Sequence, residues 1–253
     1  MVSTYGLPPY ETVLLGGGPA ANGALHVLAT RMERTQSVLY PTLTATTVQG
    51  QVQELSRIVA EQAKTPVSLV GHSFGAILAL LFAAQYPDLV RRLVLVGCPP
   101  LNEKWANEQH RQRCLRLSPD DQAEYEALVS LSERDAEQTK RLIALTECTD
   151  TFERDASYEN PLLHWDYAAH EQLGRELARM RKGGVLEQAL KRIDRRIFVL
   201  HGEHDPSLWK GVTSLLADAH CDFITCKIPL CGHSPYLEKF AAAPFLELLT
   251  KLP

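Results

Sequence analysis

Short, continuous apolar runs recur along the chain, and each of them ends near a Gly or a Pro. The clearest runs are Thr12–Leu15, Ser37–Tyr40, Val67–Val70, Leu93–Val96 and Arg196–Leu200, and a weaker run covers Phe223–Ile228. Segments of this length that are apolar on both faces are typical of strands buried in a parallel sheet. The pattern therefore predicts a sheet whose strands are spread over nearly the whole chain.

Helical periodicity fills some of the intervals between these runs. Gln49–Lys64 carries apolar residues at helical spacing, and Ala76–Tyr86 is almost entirely apolar. Strands that alternate with helices in this way build a doubly wound sheet with right-handed crossovers. We expect an α/β fold with a mostly parallel sheet.

The alternation of strand and helix stops between Pro99 and Gly184. This stretch is polar and rich in helix formers, and its apolar residues are spaced as in helices. Strand-like pattern resumes at Arg196. We therefore expect residues 1–98 and 185–253 to form one α/β core, and residues 99–184, called the inserted segment below, to form a helical cap.

Composition and charge narrow the partners that the protein could have. A chain of 253 residues that is 45% apolar can bury a large core, and its 26 basic and 30 acidic residues leave a net charge of −4. That charge provides no basic field for nucleic acid or an anionic membrane. No signal peptide or membrane-spanning run is visible. The sequence predicts a cytoplasmic protein that acts on a small molecule, and it does not indicate an oligomeric state.

The charge is unevenly distributed between the two parts of the chain. The inserted segment has 17 acidic and 12 basic residues, a charge of −5, whereas the remaining residues sum to +1. An acidic cap would favour neutral or amine-bearing substrates over anionic ones.

The cysteines do not predict a disulfide scaffold or a metal site. The chain has six of them, too few for a disulfide framework at this length. Cys221, Cys226 and Cys231 lie five residues apart, but no C-x₂-C pair occurs, and strand alternation would point Cys221 and Cys226 to opposite faces. We expect free thiols, no metal and no cofactor.

A G-x-S-x-G motif at Gly71–Gly75 is the most informative feature of the sequence. It lies directly between an apolar strand and an apolar helix, which is the context in which this motif has a mechanism. The two glycines permit a sharp strand-to-helix turn, and the serine at its apex projects above the strand ends, close to the helix N-terminus. Ser73 is therefore the predicted nucleophile.

A serine nucleophile needs a base, and the base needs an orienting carboxylate. Of the nine histidines, His233 lies in a Gly- and Pro-bounded loop just after a predicted strand, whereas most of the others lie in polar or helical surroundings. Asp205 and Glu203 both follow the strand that ends near Leu200, and Pro206 biases Asp205 towards an extended conformation. We predict His233 as the base and Asp205 as the acid, with Glu203 as its rival.

The order Ser73, Asp205, His233 resembles that of the α/β-hydrolase superfamily with a helical cap. The resemblance rests on the Gly71–Gly75 motif, on His-Gly-x-x-Asp at His201–Asp205 and on Gly-His-Ser around His233. It covers the chain outside the inserted segment. It implies a hydrolase with a serine nucleophile, and it implies no particular substrate.

A glycine-rich loop, Gly16–Pro19, follows the first predicted strand. It lacks the pattern of a nucleotide-phosphate loop. It is similar to the His-Gly-Gly-Pro-Gly loop of the proline iminopeptidase-like branch, with Gly16 in place of His and Ala20 in place of the last Gly. The resemblance implies that the backbone N–H groups of Gly18 and Phe74 form an oxyanion hole.

The substrate must be read from the inserted segment, and alternatives remain there. An aromatic-rich patch of Leu162, Leu163, Trp165 and Tyr167 could roof a pocket over Ser73 or could pack the helices onto the core. In the iminopeptidase-like branch, carboxylates of the cap hold the substrate's free amine, and the candidates by position are Glu159, Asp166 and Glu171. We expect a serine hydrolase of small esters or related acyl compounds, with an iminopeptidase-type aminopeptidase or a non-enzymatic ligand receptor as the alternatives.

Overall fold

A doubly wound sheet forms the centre of the molecule in a computed structural model that describes residues 1–252. The sheet has seven strands, which are β1 (Val2–Tyr5), β2 (Thr12–Leu15), β4 (Val38–Pro41), β5 (Val67–His72), β6 (Val90–Val96), β8 (Ile197–Gly202) and β9 (Phe223–Ile228). Their order in the sheet is β1-β4-β2-β5-β6-β8-β9. Strand β1 is antiparallel to β4, and the other neighbours pair in parallel. The predicted fold class is confirmed.

Helices cover both faces of this sheet. The α-helices within residues 1–252 are α1 (His26–Met32), α2 (Val48–Gln62), α3 (Phe74–Gln85), α4 (Glu103–Cys114), α5 (Pro119–Ser130), α6 (Ala136–Asp150), α7 (Tyr167–Lys182), α8 (Val185–Leu190), α9 (Trp209–Asp218) and α10 (Ala242–Lys251). Because side chains alternate along a strand, Val13 and Leu15 pack towards α2, α3, α8 and α9, whereas Leu14 packs towards α1 and α10. Two apolar layers therefore enclose the sheet.

The elements that sequence reasoning missed are short or half-exposed. Strand β1 is an edge strand with an exposed residue, so it has no continuous apolar run. Strands β3 (Ala21–Asn22) and β7 (His164–Trp165) form a separate two-stranded sheet and have two residues each. Two residues cannot show a periodicity. The inserted segment, predicted as helical, thus also contributes a strand.

The inserted segment contacts the core at several places. It contains α4 to α7, and Leu173 and Leu177 of α7 join the apolar layer beneath α3. A small separate cluster of Tyr125, Leu128 and Leu145 joins α5 to α6. The β3–β7 pairing ties the segment to the chain that follows the glycine-rich loop. Within residues 1–252, no helix combines the length and the apolar character needed to cross a membrane.

Candidate active site

Ser73 occupies a sharp turn between β5 and α3. Its backbone has φ 53° and ψ −123°, a conformation that costs a non-glycine residue about 1–3 kcal/mol and persists only where the surroundings enforce it. The enforcement comes from close packing, because a Cβ atom on Gly75 would overlap the carbonyl oxygen of Leu15. A Cβ atom on Gly71 would likewise overlap the carbonyl oxygen of Gly75. Both glycines of the motif are therefore required, because a larger residue at either position would collide with the neighbouring backbone.

A continuous chain of hydrogen bonds runs from Ser73 to Asp205. The Oγ of Ser73 lies 2.9 Å from Nε2 of His233. The Nδ1 of His233 lies 2.8 Å from Oδ2 of Asp205. Asp205 is 1% exposed, whereas Glu203 is exposed, so the structure brings Asp205 and not its rival to His233. The three predicted side chains therefore lie together in the order that nucleophilic catalysis requires.

The electrostatics of the pair favour a charged imidazole beside a charged carboxylate. Burial opposes the charged form of His233, but the charge and the hydrogen bond of Asp205 outweigh it and raise the pKa of His233. Burial also opposes ionisation of Asp205, but His233 and His201 outweigh it and lower the pKa of that carboxyl. Asp205 is thus ready to stabilise a protonated His233.

His201 is a site residue that sequence reasoning did not weigh. It is fully buried, and its Nε2 lies 3.1 Å from Oδ2 of Asp205 and also bonds the carbonyl oxygen of Ser207. The backbone N–H of Ser207 donates to Oδ1 of Asp205 at 2.8 Å. Both carboxylate oxygens are therefore held in place. The available signal was the position of His201 at the start of the His-Gly-x-x-Asp motif.

His72 supports the loop that carries His233. Its Nε2 donates to the carbonyl oxygen of His233 at 3.1 Å, and its Nδ1 lies 3.4 Å from the hydroxyl of Tyr236. Burial and the neighbouring His233 lower the pKa of His72 to about 3, so this imidazole stays neutral near pH 7. Its tautomer and orientation are set by a backbone acceptor, which makes it a rigid support.

The inserted segment contacts the same loop through Asp150, the last residue of α6. Its carbonyl oxygen accepts a hydrogen bond from the backbone N–H of His233 at 2.7 Å. Its carboxylate receives two hydrogen bonds from the Arg113 guanidinium, at 2.9 and 2.6 Å. Polar helix residues of this kind carry no motif, and sequence reasoning had no signal for the pair. Asp150 thus joins the inserted segment to the loop that carries His233.

The glycine-rich loop lies against Ser73. A Cβ atom on Gly17 would lie 2.8 Å from the Cβ of Ser73, and Gly18 has φ +106°, which favours glycine. Gly17, Gly18, Ser73 and Phe74 all line one cavity. The predicted oxyanion residues therefore border the nucleophile, together with Gly17, which the prediction did not include.

The cavity above Ser73 has a volume of about 410 Å³ and is walled by the core on one side and the inserted segment on the other. A pocket of this size fits a small organic ligand. Trp165 and Leu163 line it, so part of the predicted aromatic patch does roof the pocket. Leu162 of the same patch is 54% exposed and does not line it.

The three carboxylates that were candidates by position for holding an amine do not line the cavity. Asp166 accepts a hydrogen bond from the backbone N–H of Ala169 and caps α7. Glu171 is buried in a two-bond ion pair with Arg134, at 2.9 Å for each bond. Glu159 is exposed. None of the three lines the cavity, because helix capping, ion pairing and solvation account for them, whereas Glu147 of α6 does line it.

Metal-binding potential in the described part of the chain is confined to a cluster on the inserted segment. Donor atoms of His110, Cys114 and Glu126 lie within 4.8 Å of one another, and the Cys114 Sγ is 3.6 Å from both partners. None of these residues lines the cavity. All six cysteines, which lie within residues 1–252, are free thiols.

The sequence profile of the alpha/beta hydrolase family matches residues 19–245. The chain belongs to the alpha/beta hydrolase family. Among solved structures, this alpha/beta hydrolase is similar to VinJ at 21% identity and a TM-score of 0.75, with 98% of this chain and 92% of that chain covered. It is also similar to a proline iminopeptidase from Mycobacterium smegmatis at 17% identity and a TM-score of 0.67, covering 99% and 92% of the two chains.

A third similar structure, a putative lipase from Acinetobacter baumannii AYE, has 19% identity and a TM-score of 0.64, and the match covers 99% of this chain and 87% of that chain. A search of curated protein sequences found no significant match. At these identities the similar structures establish that this alpha/beta hydrolase shares their fold. Its own substrate has to be inferred from the cavity.

Proposed function

We propose that this alpha/beta hydrolase is a serine hydrolase that cleaves a small ester or related acyl compound through an acyl-enzyme intermediate. The observation that carries the proposal is the hydrogen-bonded chain of Ser73, His233 and Asp205, which opens into the cavity of about 410 Å³. A strained serine whose hydroxyl contacts an imidazole that is oriented by a buried carboxylate is the arrangement that activates a weak nucleophile.

The reaction follows from the atoms in contact. His233 Nε2 accepts the proton of the Ser73 hydroxyl as Oγ attacks the acyl carbonyl carbon, and Asp205 stabilises the imidazolium. The backbone N–H groups of Gly18 and Phe74 donate to the resulting oxyanion. The intermediate then expels the alcohol, which takes the proton from His233. Water, deprotonated by the same imidazole, attacks the acyl-enzyme, and the carboxylic acid leaves as Ser73 recovers its proton.

Labelling with a fluorophosphonate probe and turnover of 4-nitrophenyl acetate test the proposal. We expect the wild-type protein to be labelled at Ser73 and the Ser73→Ala variant to be unlabelled, with turnover lowered by about 10⁵ or more. Ser130→Ala, an exposed serine at the end of α5, serves as the matched control and should behave as wild type. A folded wild-type protein that is neither labelled nor active would instead indicate a ligand-binding protein.

One observation supports aminopeptidase activity as a second candidate function. Glu147 lines the cavity, and its carboxylate makes no hydrogen bond or ion pair within residues 1–252. Burial raises the pKa of Glu147, although nearby Arg154 opposes the shift. The ammonium group of an amino-acyl substrate would compensate this carboxylate.

Proline β-naphthylamide and its N-acetylated form distinguish this candidate. An amine-binding Glu147 predicts that acetylation abolishes hydrolysis and that Glu147→Gln raises KM for the free amine. Glu137→Gln, an exposed change on the same helix, is the control. Equal rates for the two compounds would rule the aminopeptidase out and leave the esterase proposal intact.

A further inference from the structure

Arg181 is a cation in the cavity wall whose charge no nearby carboxylate balances. It lies in the last turn of α7 and lines the same cavity as Ser73. Its Nε donates to the carbonyl oxygen of Pro100 at 2.8 Å. Among residues 1–252, no carboxylate oxygen lies within ion-pair distance of its guanidinium.

The other charged groups of this wall have hydrogen-bond partners or an opposite charge nearby. Arg113 is neutralised by Asp150 through two hydrogen bonds. The carboxylate of Glu238 accepts the backbone N–H groups of Phe152, Glu153 and Gly232. Glu147 and Arg154 interact electrostatically with each other. These groups leave Arg181 as an uncompensated charge within the described part of the cavity.

The surroundings of Arg181 make that lack of a counter-charge costly. Burial and nearby Arg113 lower the pKa of Arg181 to about 10, so the guanidinium is still charged at neutral pH. A partly buried charge without a partner is destabilising unless a ligand supplies the opposite charge. The hydrogen bond to Pro100 holds Nε, which leaves the terminal nitrogens free to bind two oxygens side by side.

We propose that Arg181 forms an anion subsite and that the preferred substrates are acyl compounds carrying a carboxylate. The proposal rests on the proposed function, since Arg181 would bind the end of the substrate that lies away from the carbonyl group attacked by Ser73. A carboxylate is the planar group that a guanidinium fork binds with two parallel hydrogen bonds. The cavity of about 410 Å³ can hold the monoester of a short dicarboxylic acid.

This inference reverses the bias expected from the acidic inserted segment. The charge of −5 on that segment is spread over its surface, where solvent and salt screen it. A guanidinium in contact with the substrate acts over a few ångströms in a less polar environment. The local charge therefore outweighs the distributed one.

Two esters with one leaving group test the subsite. They are mono(4-nitrophenyl) glutarate, which carries a free carboxylate, and its methyl ester, which does not. We expect wild-type kcat/KM to favour the carboxylate, and Arg181→Gln to reduce the ratio of the two kcat/KM values by about 10- to 100-fold. Arg181→Lys should restore part of the ratio because it keeps the charge. Arg179→Gln, an exposed change on the same helix, should leave the ratio at its wild-type value.

Binding without turnover separates this proposal from the proposed function. Titration calorimetry of monomethyl glutarate against the Ser73→Ala variant should show binding that the added Arg181→Gln change weakens. If this binding depends on Arg181 but the wild-type protein hydrolyses neither ester, the anion subsite is retained and the serine hydrolase is rejected. Hydrolysis with an unchanged ratio and no Arg181-dependent binding would reject the subsite alone. Competition by inorganic phosphate but not by monomethyl glutarate would also reject a carboxylate site.

Discussion

The α/β core and the inserted segment place their polar residues by different rules. In the core, the side chains proposed for catalysis stand at strand ends, and each is fixed by turns and backbone contacts, such as the packing of Gly75 against Leu15. In the inserted segment, most charged side chains pair with one another or cap helices, as Glu171 does with Arg134. Under the proposed function, the core would supply the chemistry, and the few cavity-lining groups of the inserted segment without an ion-pair partner would select the substrate.

Replacing Asp205 by Asn should produce the largest loss of activity. It tests whether the core supplies the catalytic groups. The amide keeps the shape of the side chain but cannot stabilise the protonated His233 and favours the wrong tautomer. In triads of this kind such a change lowers kcat by about 10⁴. Steady-state hydrolysis of 4-nitrophenyl acetate measures it.

Glu203→Gln is the matched control because Glu203 lies two residues away and is exposed. If Glu203→Gln lost as much activity as Asp205→Asn, the assignment of the acid would be wrong.

The buried ion pair of the inserted segment should matter for stability and not for chemistry. Arg134 and Glu171 are 15% and 6% exposed, so Arg134→Ala leaves a buried carboxylate that retains only Thr139 and a longer contact to Arg175. Breaking such a pair typically costs about 3–5 kcal/mol of unfolding free energy. Urea denaturation measures this loss.

The exposed pair of Lys251 and Glu247 provides the control, and Lys251→Ala should change the unfolding free energy far less. Loss of aminopeptidase activity in Glu171→Gln with unchanged stability would instead support Glu171 as the candidate that binds an amine.

The difference between the two regions also explains what the sequence could predict. Buried strands need continuous apolar runs, and a sharp strand-to-helix turn needs glycines. The sheet and the position of Ser73 could therefore be predicted from the sequence. Two of the predicted strands, Thr12–Leu15 and Phe223–Ile228, coincide with those observed. The half-exposed edge strand β1 and the two-residue strands β3 and β7 obey no such requirement, and they were missed.

The positions of the inserted segment's carboxylates relative to the cavity could not be predicted from the sequence, for a different reason. Glu147, Glu159 and Glu171 all lie in polar sequence, and nothing local distinguishes an acid that faces a cavity from one that is solvated or paired. Both Glu147 and Glu159 are exposed, and they differ only in position, because the packing of α6 places Glu147 in the cavity wall whereas Glu159 lies outside it. Arg181 was not predicted for the same reason, because its place in the cavity wall depends on residues far away in the chain. The contacts of His201 are local, since Asp205 and Ser207 lie within six residues of it, so its motif could have indicated its role.

The pH dependence of kcat/KM should report the titration of His233. The base must be unprotonated to accept the Ser73 proton, so activity falls as pH drops below its pKa. Because Asp205 raises the pKa of His233, the acid limb should lie above the ordinary value of about 6.5, with about a tenfold loss per pH unit below it. Hydrolysis of 4-nitrophenyl acetate between about pH 5 and 9 measures this limb. His72, whose pKa is about 3, does not titrate in this range. A limb near pH 4, typical of a carboxylate, would contradict the assignment.

A change in ionic strength should produce the smallest change in kcat/KM. It distinguishes the contribution of the inserted segment's distributed charge from that of Arg181. The charge of −5 acts through solvent, so salt should screen it and raise kcat/KM for an anionic ester by about twofold at most. The Arg181→Gln variant keeps that distributed charge and should show the same modest rise, because salt screens a contact inside the cavity much less. Hydrolysis of mono(4-nitrophenyl) glutarate from low to high NaCl, with its methyl ester as the uncharged reference, measures both effects. If salt instead lowered wild-type kcat/KM for the anionic ester steeply, and not that of Arg181→Gln, the guanidinium would act as an exposed charge at the cavity mouth and not as a sheltered subsite.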